Sequence, residues 1–505
     1  MAGIGVKLNK IYEKKTIVAG MLGMGYSTAI SIAPMVLVIL AVFLMQHFLG
    51  FLKLNYASRE LYSCTVLYIF VFGLLTASPF NALLSKYLSD IIYYDKYDDI
   101  LPCYYVGLSM NVGLSFILGL PFCIREYIVG QVDPVFIFIS YFGYMALVMV
   151  FYSMLYLSIC KTYGKISLFF LIGMAVTVLL SLALVYWFGV DVIYAMLISL
   201  DVGFLIIGSL EYALIKRYFT VNSGRTGEVF AYMKKYWMLI LTNFLYTLGL
   251  YIHNFVFWTT RERLVVADSF VCNNAYDMAS CLAMFTNISA SVIFISRVEM
   301  HFHERYKLYS EAVTGGRGMD IRNAKKRMFE QLSYEMMNLV RIQFIITIVL
   351  FFILMIILPL IGFGGAVMKI YPCLTAGYFI LFVMYAAIIF LYYYHDLEGA
   401  LFTALGFVVA TFAGAMISKE LPKIWYGIGL TFGALVGWTI AYFRLRRIEK
   451  VLDVHIFCRG HLMKRKDAVK PSNVVYDVRT PVQRITDEEI RRRKMNRNRK
   501  YVSRR

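Results

Sequence analysis

Chemistry is densest between Asn243 and Trp258 of the 505-residue sequence, in the run Asn243-Phe244-Leu245-Tyr246-Thr247-Leu248-Gly249-Leu250-Tyr251-Ile252-His253-Asn254-Phe255-Val256-Phe257-Trp258. Wound as a helix, Asn243, Tyr246, Leu250, Tyr251 and Asn254 recur every three or four residues and share a side. That side combines aromatic faces with amide hydrogen-bonding groups, which is how sugars are held: apolar ring faces stack on aromatics and hydroxyls meet amides. The same residues could instead form a polar seam between membrane helices, worth about 0.6 kcal/mol per hydrogen bond. His253 fits a hydrogen-bonded packing role better than a proton relay, but it lies in the same run and counts among the candidate path residues.

Asp201 is the second candidate, in the apolar setting Leu200-Asp201-Val202-Gly203-Phe204. An acid at mid-membrane costs about 2.5–3.5 kcal/mol on insertion scales, so it needs a reason to be there. The expectation is that Asp201 faces a water-filled cavity on a substrate path. Glu211, close to Lys216 and Arg217, reads as an interfacial charge. Pro34 and Pro79 fall inside long apolar runs and are candidate gating kinks, since proline removes one helix hydrogen bond and bends the helix there.

Motifs for covalent chemistry are missing. Gly164-Lys165 lacks both the partner glycine and the following Ser or Thr of a phosphate loop, and neither a zinc-protease His-Glu-x-x-His nor a nucleophile elbow occurs. His395-Asp396 is the only pair a membrane transferase could use. The eight cysteines are scattered without a Cys-x-x-Cys, which supports neither a disulfide framework nor a zinc site. The expectation is a chain that is not an enzyme, with no cofactor and no metal.

The elements that position these residues follow from composition. Apolar residues make up 60% and charged residues 16%, with a mean hydropathy of +0.67. A soluble domain carries about 25% charged residues, so this chain cannot cover a water-facing globule and reads as a multi-pass membrane protein. A crossing needs about 20 apolar residues, and twelve such segments are predicted: 20–45, 62–84, 101–124, 133–158, 166–188, 191–214, 236–258, 278–296, 341–362, 369–393, 397–417 and 424–443. Counting Lys and Arg outside the spans and ahead of the tail gives 22 on the N-terminal side and 8 on the other, so both termini are expected to be cytoplasmic.

The predicted fold is therefore all-α and integral to the membrane, with twelve transmembrane helices in two six-helix bundles. Its parts are a cytoplasmic amphipathic N-terminus (1–19), a first bundle (20–214), an inter-bundle loop (215–235), a second bundle (236–443) with a cytoplasmic loop at 297–340, and a basic cytoplasmic tail (444–505). The tail holds 20 Lys or Arg against 7 Asp or Glu, +13 of the chain's +19. It suits anionic lipid rather than nucleic acid. In the 297–340 loop, Phe329, Leu332, Met336, Met337 and Val340 recur near helical spacing and predict a surface helix, and Lys325, Lys326 and Arg327 are candidates for docking a partner.

Several strings resemble one family. The opening Met1-Ala2-Gly3-Ile4-Gly5-Val6-Lys7-Leu8-Asn9-Lys10, the Asn243–Trp258 run, Tyr392-Tyr393-Tyr394-His395-Asp396 and Leu452-Asp453-Val454-His455 are similar to the PelG family of Pel exopolysaccharide export proteins. The tail beyond about residue 460 departs from that pattern. The resemblance implies membership of the multidrug/oligosaccharidyl-lipid/polysaccharide exporter-like (MOP) superfamily, with two six-helix bundles and alternating access. It further implies a hexosamine-type polysaccharide as substrate. The implied partners are a PelF-like cytoplasmic glycosyltransferase and PelD/PelE-like membrane subunits in a biofilm polysaccharide synthase complex. Two other readings are an ion-coupled flippase for lipid-linked oligosaccharides, with Asp201 as the coupling acid, and a membrane scaffold for the glycosyltransferase that transports nothing.

Overall fold

The computed structural model describes residues 17–93, 96–159, 162–288, 299–360 and 364–458. The Met1–Lys10 string, most of the amphipathic N-terminus and the tail from 459 onward lie outside the described residues. All but one of the long apolar runs become helices of twenty residues or more, because backbone groups in a lipid-like setting must satisfy one another within the segment. The first six helices are α1 (Ile17–Phe48), α2 (Tyr56–Tyr93), α3 (Ile100–Ile128), α4 (Pro134–Ile159), α5 (Tyr163–Tyr186) and α6 (Val192–Tyr218). A short helix α7 (Thr226–Lys235) precedes α8 (Trp237–Phe257). An antiparallel hairpin follows, β1 (Leu264–Val266) with β2 (Phe270–Cys272). The chain continues as α9 (Asn274–Asn287), α10 (Glu299–Gly315), α11 (Gly318–Leu360), α12 (Ala366–Tyr393), α13 (Leu397–Ser418) and α14 (Ile428–Cys458).

Eleven of the twelve predicted segments fall on helices of twenty residues or more, and the described part of the eighth, 278–287, falls on α9. Ten of the described helices are long and apolar enough to cross a membrane, so this is a multi-pass membrane protein. Of the other two, α1 has a shorter apolar stretch at Ile32–Phe48, and α9 begins four residues before the predicted 278 and is described only to Asn287. Two features depart from the sequence reading. The inter-bundle loop contains α7, and the connection after α8 contains the β-hairpin. The predicted surface helix and ninth span are one continuous helix, α11, whose 43 residues extend about 65 Å at 1.5 Å per residue. That is roughly twice the hydrocarbon core, so its first half projects beyond it.

Helices α1 to α6 pack on one another, chiefly α6 against α4 and α5, α1 against α5, and α2 against α4. In the second half α8 packs on α13, α9 on α12, and α10 on α11, while α2 and α8 pair across the two halves. Close helix approach relies on small residues, as expected where lipid offers no hydrophobic drive: a Cβ on Gly429 of α14 would lie 2.4 Å from the Ala415 nitrogen of α13. Helix α7 is fastened to α2 by Tyr232, whose hydroxyl donates to Asp90 Oδ2 at 2.6 Å; burial and that carboxylate push the phenol well above its usual pKa. Residues from Val451 onward form a separate unit, and α14 leaves helical geometry at Val451.

The buried face of the projecting part of α11 is Met328, Leu332, Glu335 and Leu339, one register away from most of the predicted set. Met337, expected on that face, is 60% exposed. Lys326 and Arg327 are exposed and Lys325 is half-buried. Lys326 Nζ lies 3.8 Å from Glu330, an i,i+4 surface pair worth a few tenths of a kcal/mol.

Candidate functional site

Helix α2 organises the region where the two halves meet. Pro79 lies within it and cannot donate to the Leu75 carbonyl. Ser78 Oγ donates to that oxygen instead, at 3.0 Å. The Ser78 carbonyl in turn accepts from Nδ2 of Asn243 on α8. The proline turn of one half is thereby tied to the first candidate residue of the other. Pro34 also lies inside its helix, α1.

The candidate residues of α8 do not all look the same way. Asn243 reaches α2. Tyr246 stacks on Tyr385 of α12, centroids 4.5 Å apart, with Phe407 of α13 at 6.3 Å. A Cβ on Gly249 would meet Phe407 at 2.3 Å, so glycine lets that ring close on α8. Tyr251 is half-buried. Asn254 and His253 turn into the second half, where each meets a partner on α9.

That partner set escaped the sequence reading. Asp277 Oδ1 accepts from Asn254 Nδ2 at 2.7 Å, Asp277 Oδ2 accepts from Trp258 Nε1 at 2.9 Å, and Oδ2 also takes the Asn273 backbone N–H at 2.9 Å. Three donors to one buried carboxylate let it stay in an apolar setting. His253 Nδ1 pairs with the Tyr276 hydroxyl at 2.8 Å, and Ser280 Oγ with the Tyr378 hydroxyl at 2.7 Å. Asn273 begins α9 as its cap, its side chain accepting from Tyr276 N at 3.1 Å.

Asp201 sits apart from this network, inside the first half. It is 4% exposed and presses on α4 where that helix has no side chain: a Cβ on Gly143 would lie 2.1 Å from Asp201 Oδ1. Tyr62 of α2 is within electrostatic reach. Among the described residues, neither Asp201 Oδ1 nor the Tyr62 hydroxyl has a hydrogen-bond partner. Glu211, expected at the interface, is fully buried on α6, and neither carboxylate oxygen has a hydrogen-bond partner among the described residues.

The N-terminal part of α2 and the connection from α8 to α9 meet in an aromatic cluster at one end of the two halves. Tyr68 of α2 lies flat on Trp258, centroids 5.3 Å apart and planes 8° apart, with Phe270 at 5.1 Å and Phe122 at 5.4 Å. Phe72 stacks on Phe255 at 5.9 Å. The Tyr68 hydroxyl donates to the Val271 carbonyl at 2.8 Å and accepts its N–H at 2.9 Å, which fixes the hairpin to α2. Cys64 and Cys272, read as unrelated, lie in this cluster with their sulfurs 3.0 Å apart.

At the opposite end, Asp396 serves structure. It caps α13 by accepting from Gly399 N at 3.1 Å, its Oδ1 accepts from Arg444 Nη2 at 3.2 Å, and its Oδ2 forms an ion pair with the same guanidinium. Asp396 of the His395-Asp396 pair thus holds α13 to α14.

Comparison with known proteins agrees with this architecture. A family model, PelG, described as "Putative exopolysaccharide Exporter (EPS-E)", matches residues 1–457. No curated protein sequence matches the chain. Among solved structures, an outward-facing multidrug resistance MATE family transporter of the MOP superfamily aligns with a TM-score of 0.58 and 13% identity, covering 85% of this chain and 95% of that one. The Vibrio cholerae MATE transporter VcmN in its bent form gives 0.53 at 12% identity, over 90% and 99% of the two chains. A MOP superfamily transporter from Pyrococcus furiosus gives 0.52 at 14% identity, over 85% and 96%. Identities this low speak to fold alone, and the fold they share is that of a membrane transporter.

Proposed function

The chain belongs to the PelG family of exopolysaccharide exporters, and from that premise we propose that it translocates a hexosamine-type exopolysaccharide across the inner membrane. Passage runs between the two six-helix bundles, by alternating access or coupled to synthesis. The polymer is supplied by a PelF-like glycosyltransferase on the cytoplasmic side, within a complex that includes PelD/PelE-like subunits. Membership supports the substrate class, and the MATE-like fold supports movement of one bundle against the other.

The observation that carries the reading is the α2–α8 contact. A mid-helix proline turn, an amide and an aromatic pair (Ser78, Asn243, and Tyr246 on Tyr385) lie close together where a path between bundles would run. Amide and aromatic groups suit a neutral or amine-bearing sugar chain, whereas an acidic polymer would call for Arg or Lys. Asp201 completes the path from the first bundle in this reading, and Tyr251, His253 and Asn254 belong to it through α8.

The test is the distribution of polymer in cells lacking this chain, with the glycosyltransferase still present. Polymer trapped inside supports translocation. Polymer outside at the normal level overturns it, and polymer nowhere favours a scaffold on which synthesis depends.

One observation favours a second reading, an ion-coupled flippase for lipid-linked oligosaccharide. Asp201 and Glu211 are two buried acids on one helix with unpartnered oxygens, which is what reversible cation or proton binding requires. Collapse of the ion gradient separates the two: a coupled flippase stops, while synthesis-driven passage continues as long as polymer is made.

A further inference from the structure

The hairpin brings together two cysteines 208 positions apart in sequence. Cys64 lies on α2, in the first half. Cys272 ends β2, in the connection from α8 to α9, and so belongs to the second. Their sulfurs are 3.0 Å apart, about 1 Å beyond the ~2.05 Å of a disulfide bond. The contact is held from both sides. Tyr68, one helical turn from Cys64, grips Val271 by its N–H and carbonyl, and Val271 precedes Cys272. On the other flank Cys272 Sγ donates to Asn274 Oδ1 at 3.2 Å, and Asn274 Nδ2 donates to Glu60 Oε2 at 3.1 Å. Neither cysteine can move away without parting α2 from the hairpin.

We infer that Cys64 and Cys272 form a reversible disulfide that latches the two bundles together at their outer ends. The inference rests on the translocator reading above for its orientation, with the basic loops inside and the hairpin on the oxidising outer face, where disulfides persist. The oxidant is a disulfide-bearing compound or protein, R–S–S–R, in that compartment. One cysteine thiolate attacks it and releases R–SH. The other then attacks the mixed disulfide and releases the second R–SH. Two electrons and two protons leave the cysteines, and one S–S bond replaces another.

Access decides when this happens. Cys64 is 1% exposed and Cys272 is fully buried, under Tyr68, Trp258, Val266 and Phe270. The oxidant reaches a sulfur only when the hairpin lifts from α2, which is the motion that opens the outer face. Reclosure then brings the second sulfur onto the mixed disulfide. The bond therefore forms on an opening event and prevents the next one. A disulfide here holds the outer end shut and halts export, and reduction restores it.

The experiment uses the full chain in cell membranes. After treatment with diamide or oxidised glutathione, the protein is denatured and its free thiols are counted by the mass added by a polyethylene glycol maleimide. The sequence has eight cysteines, so oxidation is expected to lower the count from eight to six. Cys64→Ala and Cys272→Ala each have seven to begin with and should keep seven. A reductant added after denaturation, when the buried pair is accessible, should restore the count to eight in the wild type. Eight labelled thiols after oxidation overturns the pair, and that comparison needs no variant to fold. In parallel, oxidation should lower polymer export by the wild type and not by Cys64→Ala; equal export before and after, with six thiols labelled, overturns the latch. The thiol count does not depend on polymer, so if deleting the chain leaves export normal, the translocator reading fails while the disulfide stands.

Discussion

The rings of Tyr68 and Trp258 lie parallel, 5.3 Å apart and 8° from coplanar, and through them the first half of the molecule rests on the second. Trp258 passes the contact on, since its indole N–H donates to Asp277. Tyr68 adds two hydrogen bonds to the Val271 backbone. Tyr68→Phe should keep the stack and leave the Val271 N–H and carbonyl unpaired, costing about 1–3 kcal/mol. Tyr68→Ala should remove the ring as well and cost about 3–5 kcal/mol. Thermal unfolding of the purified protein measures both. Equal losses for the two variants would mean that the ring contributes nothing beyond its hydroxyl.

Asp277 is the hub of the second half. Its carboxylate serves Asn254, Trp258 and the Asn273 N–H, so Asp277→Ala strands three buried donors. Leaving a buried group unpaired costs about 1–3 kcal/mol each, and the variant is expected to lose most of its folded yield. Asp277→Asn retains an acceptor oxygen and should lie between the two. Gel filtration of a fluorescent fusion checks the order; wild-type behaviour of Asp277→Ala would show that water satisfies the three donors.

The positions of the helices were legible in the sequence because a run of twenty apolar residues is a property of the chain itself. Asp201 was legible for the same reason, as an acid that does not belong in such a run. Asp277 was not, since it stands beside Asn273 and Asn274 just ahead of the expected span and looks like one more solvated polar residue. Glu211 was misread through its sequence neighbours. Lys216 is five positions on, about 140° around the helix, so a basic neighbour in sequence said nothing about where the acid points. The face of α11 was misjudged because apolar character alone does not distinguish protein-facing from lipid-facing sides. Met337 is apolar and exposed, while Glu335 is charged and buried, accepting from Gln331 at 2.8 Å. The Cys64–Cys272 contact has no local signature at all.

The basic run on α11 gives a test of the proposed assembly. Lys326 and Arg327 are exposed on a helix too long for the membrane core, so they are available to an acidic partner surface. Reversing Lys325, Lys326 and Arg327 to Glu should weaken recovery of the glycosyltransferase with the membrane fraction, and the loss should shrink at high salt because exposed pairs are screened. The protein itself should remain stable, since the Lys326–Glu330 pair is exposed and contributes little. Unchanged recovery of the glycosyltransferase would move the docking surface elsewhere.

Asp201 permits a test in which charge and shape are varied separately. Asp201→Asn keeps the shape of the side chain and removes its charge; the protein is expected to insert normally and to export less polymer. Gly143→Ala keeps the charge and changes the shape. The added Cβ would lie 2.1 Å from Oδ1, and because Gly143 is on a packed helix, it is the carboxylate that must move. If export depends on where the acid sits, Gly143→Ala lowers export with the acid intact, and combining it with Asp201→Asn adds little, because both act on one group. If the acid only fills space, Asp201→Asn exports normally and Gly143→Ala shows its cost in thermal stability alone. Polymer released per cell, normalised to the protein in the membrane, distinguishes these outcomes, and normal export by Asp201→Asn would remove Asp201 from the path.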